Sequence, residues 1–312
     1  MTRIDNILVI VDPTAQTHPA VDKAVAIAKR CEARIELFAC ETRNSREARY
    51  SAHLAAGARS EFIADVRALV QPLAEAARLQ GVDVCVETDC GDPLHAKLLE
   101  RTQRTSADLV VKDTHHHSLA RRTILTNTDW ELIRGCTVPL LLTRPRPYSE
   151  PPVISAAVDP GHSNDTAEIL NRRILEVAQL FATRFGGSLD LVNAFIPFTI
   201  AARAAGGSPA IVTTLDAKML EELRSARQAE VAALAQSCGV GKPKAHVKLG
   251  VASAVLPVAA EEIRADIMVM GAVSRSGMQR LFIGNTAESV LERIECDVLI
   301  VKPVDFAAAM AF

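Results

Sequence analysis

The segment Met270–Glu288, MGAVSRSGMQRLFIGNTAE, concentrates residue types that bind anions. Gly271 ends an apolar run, the small residue Ser274 follows after two residues, and Gly284 stands after nine more, directly before Asn285-Thr286. Glycines and small residues let backbone approach a bulky anion and free N–H groups to point at it. A helical pattern opens at Asn285-Thr286, and a helix start adds unpaired N–H groups and a partial positive charge. Asn285 with Glu288 reads as a variant capping box, and Arg275 brings a guanidinium suited to charge-assisted bonds to phosphate. Singly, each residue has a plainer reading as a turn or a cap. Together they make a phosphate cradle. There is no Gly-x4-Gly-Lys-Ser loop and no obvious acidic pair near Gly271 to hold Mg²⁺ and position a water. No catalytic residue is assigned.

Two other groups invite chemistry and are read more plainly. His115-His116-His117, with Asp113 nearby, suggests a metal, but consecutive side chains point different ways, and at most two share one ion unaided. The expected reading is a solvated polar loop, and no metal ligand is assigned. The seven cysteines are scattered, odd in number and contain no CxxC pair, which fits reduced thiols acting mostly as small core residues. Trp130 falls in the first turn of a helix and reads as packing.

These residues are positioned by a unit that occurs twice. Ala107–Pro145 lies over Ala265–Pro303 at a constant offset of 158 without a gap, and NILVIVDP ending at Asp12-Pro13 matches VISAAVDP ending at Asp159-Pro160. Residues 144–152, RPRPYSEPP, hold four prolines and no apolar period, and read as the linker. The expected domains are therefore 1–146 and 152–312. In the second copy, apolar runs near 153–158, 188–194, 244–249, 266–271 and 297–302 alternate with helical patterns near 165–185, 215–238, 252–264 and 285–295. Over 215–238 the period places Leu215, Met219, Leu223, Ala226, Ala233 and Leu234 on one face. The first copy repeats the order, with a long helix near 52–79. Alternation of this kind implies parallel sheets with right-handed crossovers, covered on both faces, and ligands at the carboxyl ends of the strands where strand order reverses. With the order 3-2-1-4-5, Asp159 and Gly271 face one crevice.

Composition agrees. Hydrophobic residues are 49% and aromatics only 4%, which suits Val/Ile/Leu cores of parallel sheets. A net charge of −2 gives no pull toward nucleic acid or an anionic membrane. The apolar run Ile7–Val11 is too short for a signal or a span, so a cytoplasmic location is expected. The runs VPLLLT and DVLIVK are sticky edges that can cover one another as fifth strands, giving an internal pseudo-dimer. Other proteins remain a second class of partner.

Residues 271–286, read as Gly271, two residues, Ser274, nine residues, Gly284, then Asn285-Thr286, resemble the ATP signature of the universal stress protein family, with Ser for the middle glycine. The resemblance spans both copies. It implies a doubly wound five-stranded α/β fold in tandem and ATP as ligand, Mg²⁺ remaining open as its companion. It also implies that Asp159 contacts adenine or ribose, that Gly271, Ser274, Arg275, Gly284, Asn285 and Thr286 surround ribose and phosphates, and that adenine meets backbone near Asn193. In the first copy Asp113, His116, His117 and Thr126 replace Gly271, Ser274, Arg275 and Gly284, and that half is read as degenerate for ATP. The expected function is a stress-response protein using ATP as a regulatory ligand. A slow ATP hydrolase and a scaffolding module with a vestigial site are the alternatives.

Overall fold

A computed structural model of the chain describes residues 3–41, 55–91, 93–117, 122–161, 165–197, 216–272 and 285–303. It divides into two compact units, and the strand at Asp297–Val301 falls with the first of them.

The first unit opens with β1 (Asn6–Val11), a run of Ile, Leu and Val whose last five residues are buried. Helix α1 (Pro19–Cys31) starts on a proline, which has no N–H to leave unpaired, and ends on Glu32 in the left-handed conformation. β2 (Arg34–Glu41), α2 (Ala55–Leu79), β3 (Val84–Cys90), α3 (Leu94–Arg104) and β4 (Leu109–Asp113) follow. Val66, Val70, Ala74 and Ala77 form the buried stripe of α2 at helical spacing. A short antiparallel pair, β5 (His115–His117) with β6 (Arg122–Ile124), precedes α4 (Asn127–Gly135) and β7 (Leu140–Thr143). The histidine run expected as a loop is thus strand, because it pairs with a partner the sequence does not mark. The sheet order is β3-β2-β1-β4-β7, all parallel.

The second unit repeats the scheme: β8 (Val153–Ala157), α5 (Asp165–Phe185), β9 (Ser188–Phe195), α6 (Ala217–Ser237), β10 (Lys244–Leu249), α7 (Ala252–Glu262), β11 (Ile267–Gly271) and α8 (Asn285–Arg293). Its parallel order is β10-β9-β8-β11. Both units therefore have the doubly wound order 3-2-1-4, reversing direction between their first and fourth strands.

The last strand, β12 (Asp297–Val301), is the fifth strand of the second repeat. It pairs antiparallel with β7, Leu141 opposite Leu299, so the two apolar runs cover each other's edges. Beneath it lies a buried ion pair. Lys23 Nζ contacts both carboxylate oxygens of Asp297 at 2.6 and 2.7 Å and donates to the Arg144 carbonyl, while the Arg144 amide donates to Asp297 at 2.8 Å.

The repeated Ala-Asp pairs have a structural role. Asp108 accepts from the amides of Asp5 and Asn6 at 2.8 and 2.9 Å. Asp266 accepts from those of Ser149 and Val153 at 3.0 and 2.8 Å. In each unit the carboxylate before the fourth strand ties down the start of the first.

Helix α6 departs from its expected face. Met219 and Leu223 are 40% and 39% exposed, whereas Val231 and Ala235 are buried. Leu215 lies outside the described residues. The helix is rich in alanine and has little contrast between faces, so packing rather than composition set its rotation. The buried side includes the partly covered Arg227.

Candidate functional site

In the second unit β8 and β11 are neighbours, and their carboxyl ends carry Asp159 and Gly271. Asn171 on α5 grips the main chain of Asp159: the Asp159 amide donates to Asn171 Oδ1 at 3.0 Å, and Asn171 Nδ2 donates to the Asp159 carbonyl at 2.8 Å. The carboxylate accepts from the Gly161 amide at 3.3 Å. Asn193, on β9, is 1% exposed and donates from Nδ2 to the Val158 carbonyl at 2.9 Å. Its Oδ1 is buried and has no hydrogen-bond partner among the described residues. A buried acceptor left unmade costs about 1–3 kcal/mol, so this oxygen invites a donor.

Two residues stand here with contacts that the sequence did not single out. The Arg227 guanidinium lies where a side chain on Gly161 would be, and pairs with Glu230 at 2.7 Å. Nothing in the sequence pattern of 215–238 marked Arg227, whose helix was read only for its apolar face. Gly271 has a packing reason of its own: a Cβ there would come within 2.6 Å of Leu170 Cδ2 on α5. Helix α8 begins at Asn285 itself, one residue earlier than a cap at Asn285 would need, and Thr286 is half-buried in its first turn. Ser274, Arg275 and Gly284 lie outside the described residues.

The first unit shows what its substitutions do. Asp113, at the position of Gly271, accepts from the Ala20 amide and from Thr143 Oγ1, both at 2.7 Å. It thereby supplies the cap for α1 that the His18 side chain does not provide. Thr126, at the position of Gly284, caps α4 by accepting from the Asp129 amide at 3.2 Å. Asp129 Oδ2 in return accepts from the Thr126 amide at 2.7 Å. Asp129 Oδ1 lies 2.7 Å from Lys112 Nζ, an ion pair rather than an aligned hydrogen bond. Lys112 and Asp129 correspond to Met270 and Ala287. Two helix starts at the head of this sheet are therefore neutralised by the chain's own carboxylates. Asp12 accepts from the amide and hydroxyl of Thr14 at 2.9 and 2.6 Å, which closes a local turn after β1.

Burial pushes the Asp113 carboxyl above the usual carboxylate range, outweighing the bonds from Thr143 and Ala20. The folded protein thus holds this proton more tightly than the unfolded chain. The associated stability is fully present below the ordinary carboxylate range and is lost as pH rises through the raised value. Asp113→Asn keeps an acceptor oxygen for the same two bonds without the buried charge. It is expected to raise Tm at pH 7, with the gain shrinking as pH falls into the carboxylate range. Calorimetry across pH checks this; a lower Tm at pH 7 would show that the charge itself is needed.

Among the described residues no group of three or more His, Cys, Asp or Glu could hold a metal ion, and no helix is long and apolar enough to cross a membrane. None of the seven cysteines is in a disulfide, and Cys31, Cys40, Cys136 and Cys296 are buried. Burial pushes Cys40 and Cys136 up to about 11, as inert core thiols require.

The universal stress protein family model matches residues 3–144 and 156–302. Universal stress protein E of Salmonella typhi is 27% identical over 311 residues, covering 98% of this chain and 96% of that protein. Its namesake in Escherichia coli strain K12 is 27% identical over 308 residues, covering 97% and 95%. Among solved structures, a functionally unknown protein from Pseudomonas aeruginosa PAO1 superposes with a TM-score of 0.74 at 26% identity, over 98% of this chain and 95% of that one. A universal stress protein from Archaeoglobus fulgidus, 16% identical over 96% and 98%, shares the fold with a TM-score of 0.67. With two doubly wound units and a family match over nearly its whole length, the chain belongs to the universal stress protein family, in a tandem two-domain form.

Proposed function

We propose that the second half binds ATP as a regulatory or conformational ligand, about one per chain, and that the first half binds none. The observation that carries this reading is the contrast between the repeats. Where the first half places the carboxylates of Asp113 and Asp129 at two helix starts, the second half has Gly271 and Ala287. An external anion suits the second arrangement and is repelled by the first. The orphaned Asn193 Oδ1 adds a buried acceptor fitted to an adenine amino group. Asp159, held by Asn171, can accept from a ribose hydroxyl or the same amino group. Ser274, Arg275, Gly284, Asn285 and Thr286 are assigned to the phosphates on the residue types of their loop and helix start.

Asp159 and Asp12 each follow a first strand and precede a proline, so they make a matched pair for a test. Asp159→Ala is expected to weaken ATP binding by about 1–3 kcal/mol, the cost of losing a charge-assisted bond. Asp12→Ala should change it by no more than about 0.5 kcal/mol, as expected of an independent site. The full chain is used, because a cut in the linker would take β12 out of the first unit. Equal losses in one calorimetric titration would mean that both halves bind nucleotide or share a site.

A further inference from the structure

The sheet of each unit ends on an edge strand, β3 in the first and β10 in the second, and the two edges are finished differently. In the first unit the Ile35 amide donates to the Asp83 carbonyl at 2.8 Å, so Val84 and Val86 turn their backbone outward, away from β2. Two arginines of α2 reach over and occupy that edge. Arg78 donates to the Val84 carbonyl at 3.0 and 2.7 Å, and Arg67 donates to the Val86 carbonyl at 2.9 Å. The acidic residues Glu87 and Asp89 follow along the strand. Charges and occupied carbonyls close an edge to pairing with another chain.

The second unit lacks these devices. Helices α2 and α6 both lead into a glycine of positive φ, Gly81 and Gly239, and on that alignment Arg67 and Arg78 become Ser225 and Gln236. The Gly250 amide donates to the Phe195 carbonyl at 2.9 Å. Lys244, His246 and Lys248 therefore turn their backbone toward β9, while Ala245, Val247 and Leu249 turn theirs outward. None of these three outward residues has a backbone hydrogen bond among the described residues. Exposed apolar side chains gather at the same end of the sheet, Ile196 after β9, Leu249 on β10 and Val251 before α7, as on surfaces that meet another protein.

We infer that β10 is a self-association edge, pairing antiparallel with β10 of a second copy of this chain about a two-fold axis at Val247. On that axis Val247 faces Val247, and Ala245 and Leu249 face each other on both sides of it. Each facing pair exchanges two N–H···O=C bonds, so every outward amide and carbonyl of the three residues finds a partner. An axis at Ala245 would instead set Val247 against Pro243, which has no N–H to give. The facing side chains are all apolar on this side of the sheet. On the other side the charges are already paired within each copy: His246 lies 3.0 Å from Asp190, and Lys248 pairs with Glu262. Lys244 falls opposite Gly250, which has no side chain. The β3 edge is no rival, since arginines hold its carbonyls.

Sedimentation velocity on the full-length protein over a wide concentration range should show a monomer passing to a dimer and no further. Residue-resolved amide exchange should find Ala245, Val247 and Leu249 protected only where the dimer is populated, and His246 and Lys248 protected throughout by β9. Ala245→Pro removes an outward N–H and no bond inside the chain. Ser225→Arg restores the arginine that serves Val86 in the first unit, whose counterpart on β10 is Ala245. Each substitution should weaken dimerisation about tenfold or more. Unchanged Tm values at low concentration show that the variants fold, and Ser225, exposed on α6, carries the test if the proline disturbs the strand. A monomer at every concentration, a mass growing past the dimer, a dimer unaffected by either substitution, or outward amides equally protected at all concentrations would each overturn the assignment.

Discussion

Asp297→Ala is expected to destabilise the first unit by about 3–5 kcal/mol, the usual cost of breaking a buried ion pair by removing one partner. Asp297 is 1% exposed and Lys23 is 7% exposed. Without the carboxylate, a buried ammonium loses both of its contacts to Asp297, and the Arg144 amide loses its acceptor. The damage falls on the strand that closes the sheet edge at β7, so detachment of β12 should precede loss of the rest of the unit. Hydrogen exchange along Leu140–Thr143 reads that order directly. Lys23→Met should cost a similar amount by stranding the carboxylate, and the double variant should cost less than the two singles together, since both remove one interaction. A loss below about 1 kcal/mol for Asp297→Ala would place the pair with screened surface salt bridges and would mean that β12 is held by its backbone ladder to β7 and its apolar side chains.

Gly284→Val is expected to abolish ATP binding, an affinity loss of roughly 100-fold or more, while the rest of the fold persists. The first repeat supplies the reason. Its equivalent residue, Thr126, is the N-cap of α4 and turns its hydroxyl onto the Asp129 amide in the first turn. Gly284 immediately precedes α8, which starts at Asn285. A branched side chain there brings bulk to the helix mouth without a hydroxyl to cap it, and it shields the amides assigned to phosphate. Titration of the folded variant with ATP is the measurement. Retained affinity would place the phosphates elsewhere and remove the loop from the proposed site. Gly284→Ser, which restores a capping hydroxyl with little bulk, should bind better than the valine variant and separates blockage from loss of helix stability.

The two repeats, set side by side, also show how far the site is legible in the sequence. Replacement of Gly271 by Asp113 predicted that the first half repels phosphate. The structure adds that this carboxylate is a cap, bonded to Ala20 and Thr143. Gly271 itself was legible as a glycine with a purpose, yet part of that purpose is contact with Leu170. Asn193 was reached only through the family resemblance, and its orphaned oxygen is a property of three-dimensional burial. Arg227 gave no signal, because a helix of low facial contrast does not announce which of its charges turns inward.

By itself the sequence determined the repeat, the alternation of strands and helices, and the positions of Asp159 and Gly271 at strand ends. These follow from side-chain period, backbone propensity and turn chemistry, which act over a few residues and leave their pattern along the chain. The tertiary structure alone decided the rotation of α6, the pairing of His115–His117 with Arg122–Ile124, and the lodging of β12 in the first unit. Lys23 and Asp297 stand 274 residues apart. No local pattern can join them, because what selects the pair is the cost of leaving either charge buried alone, and that cost exists only once the chain has folded around both.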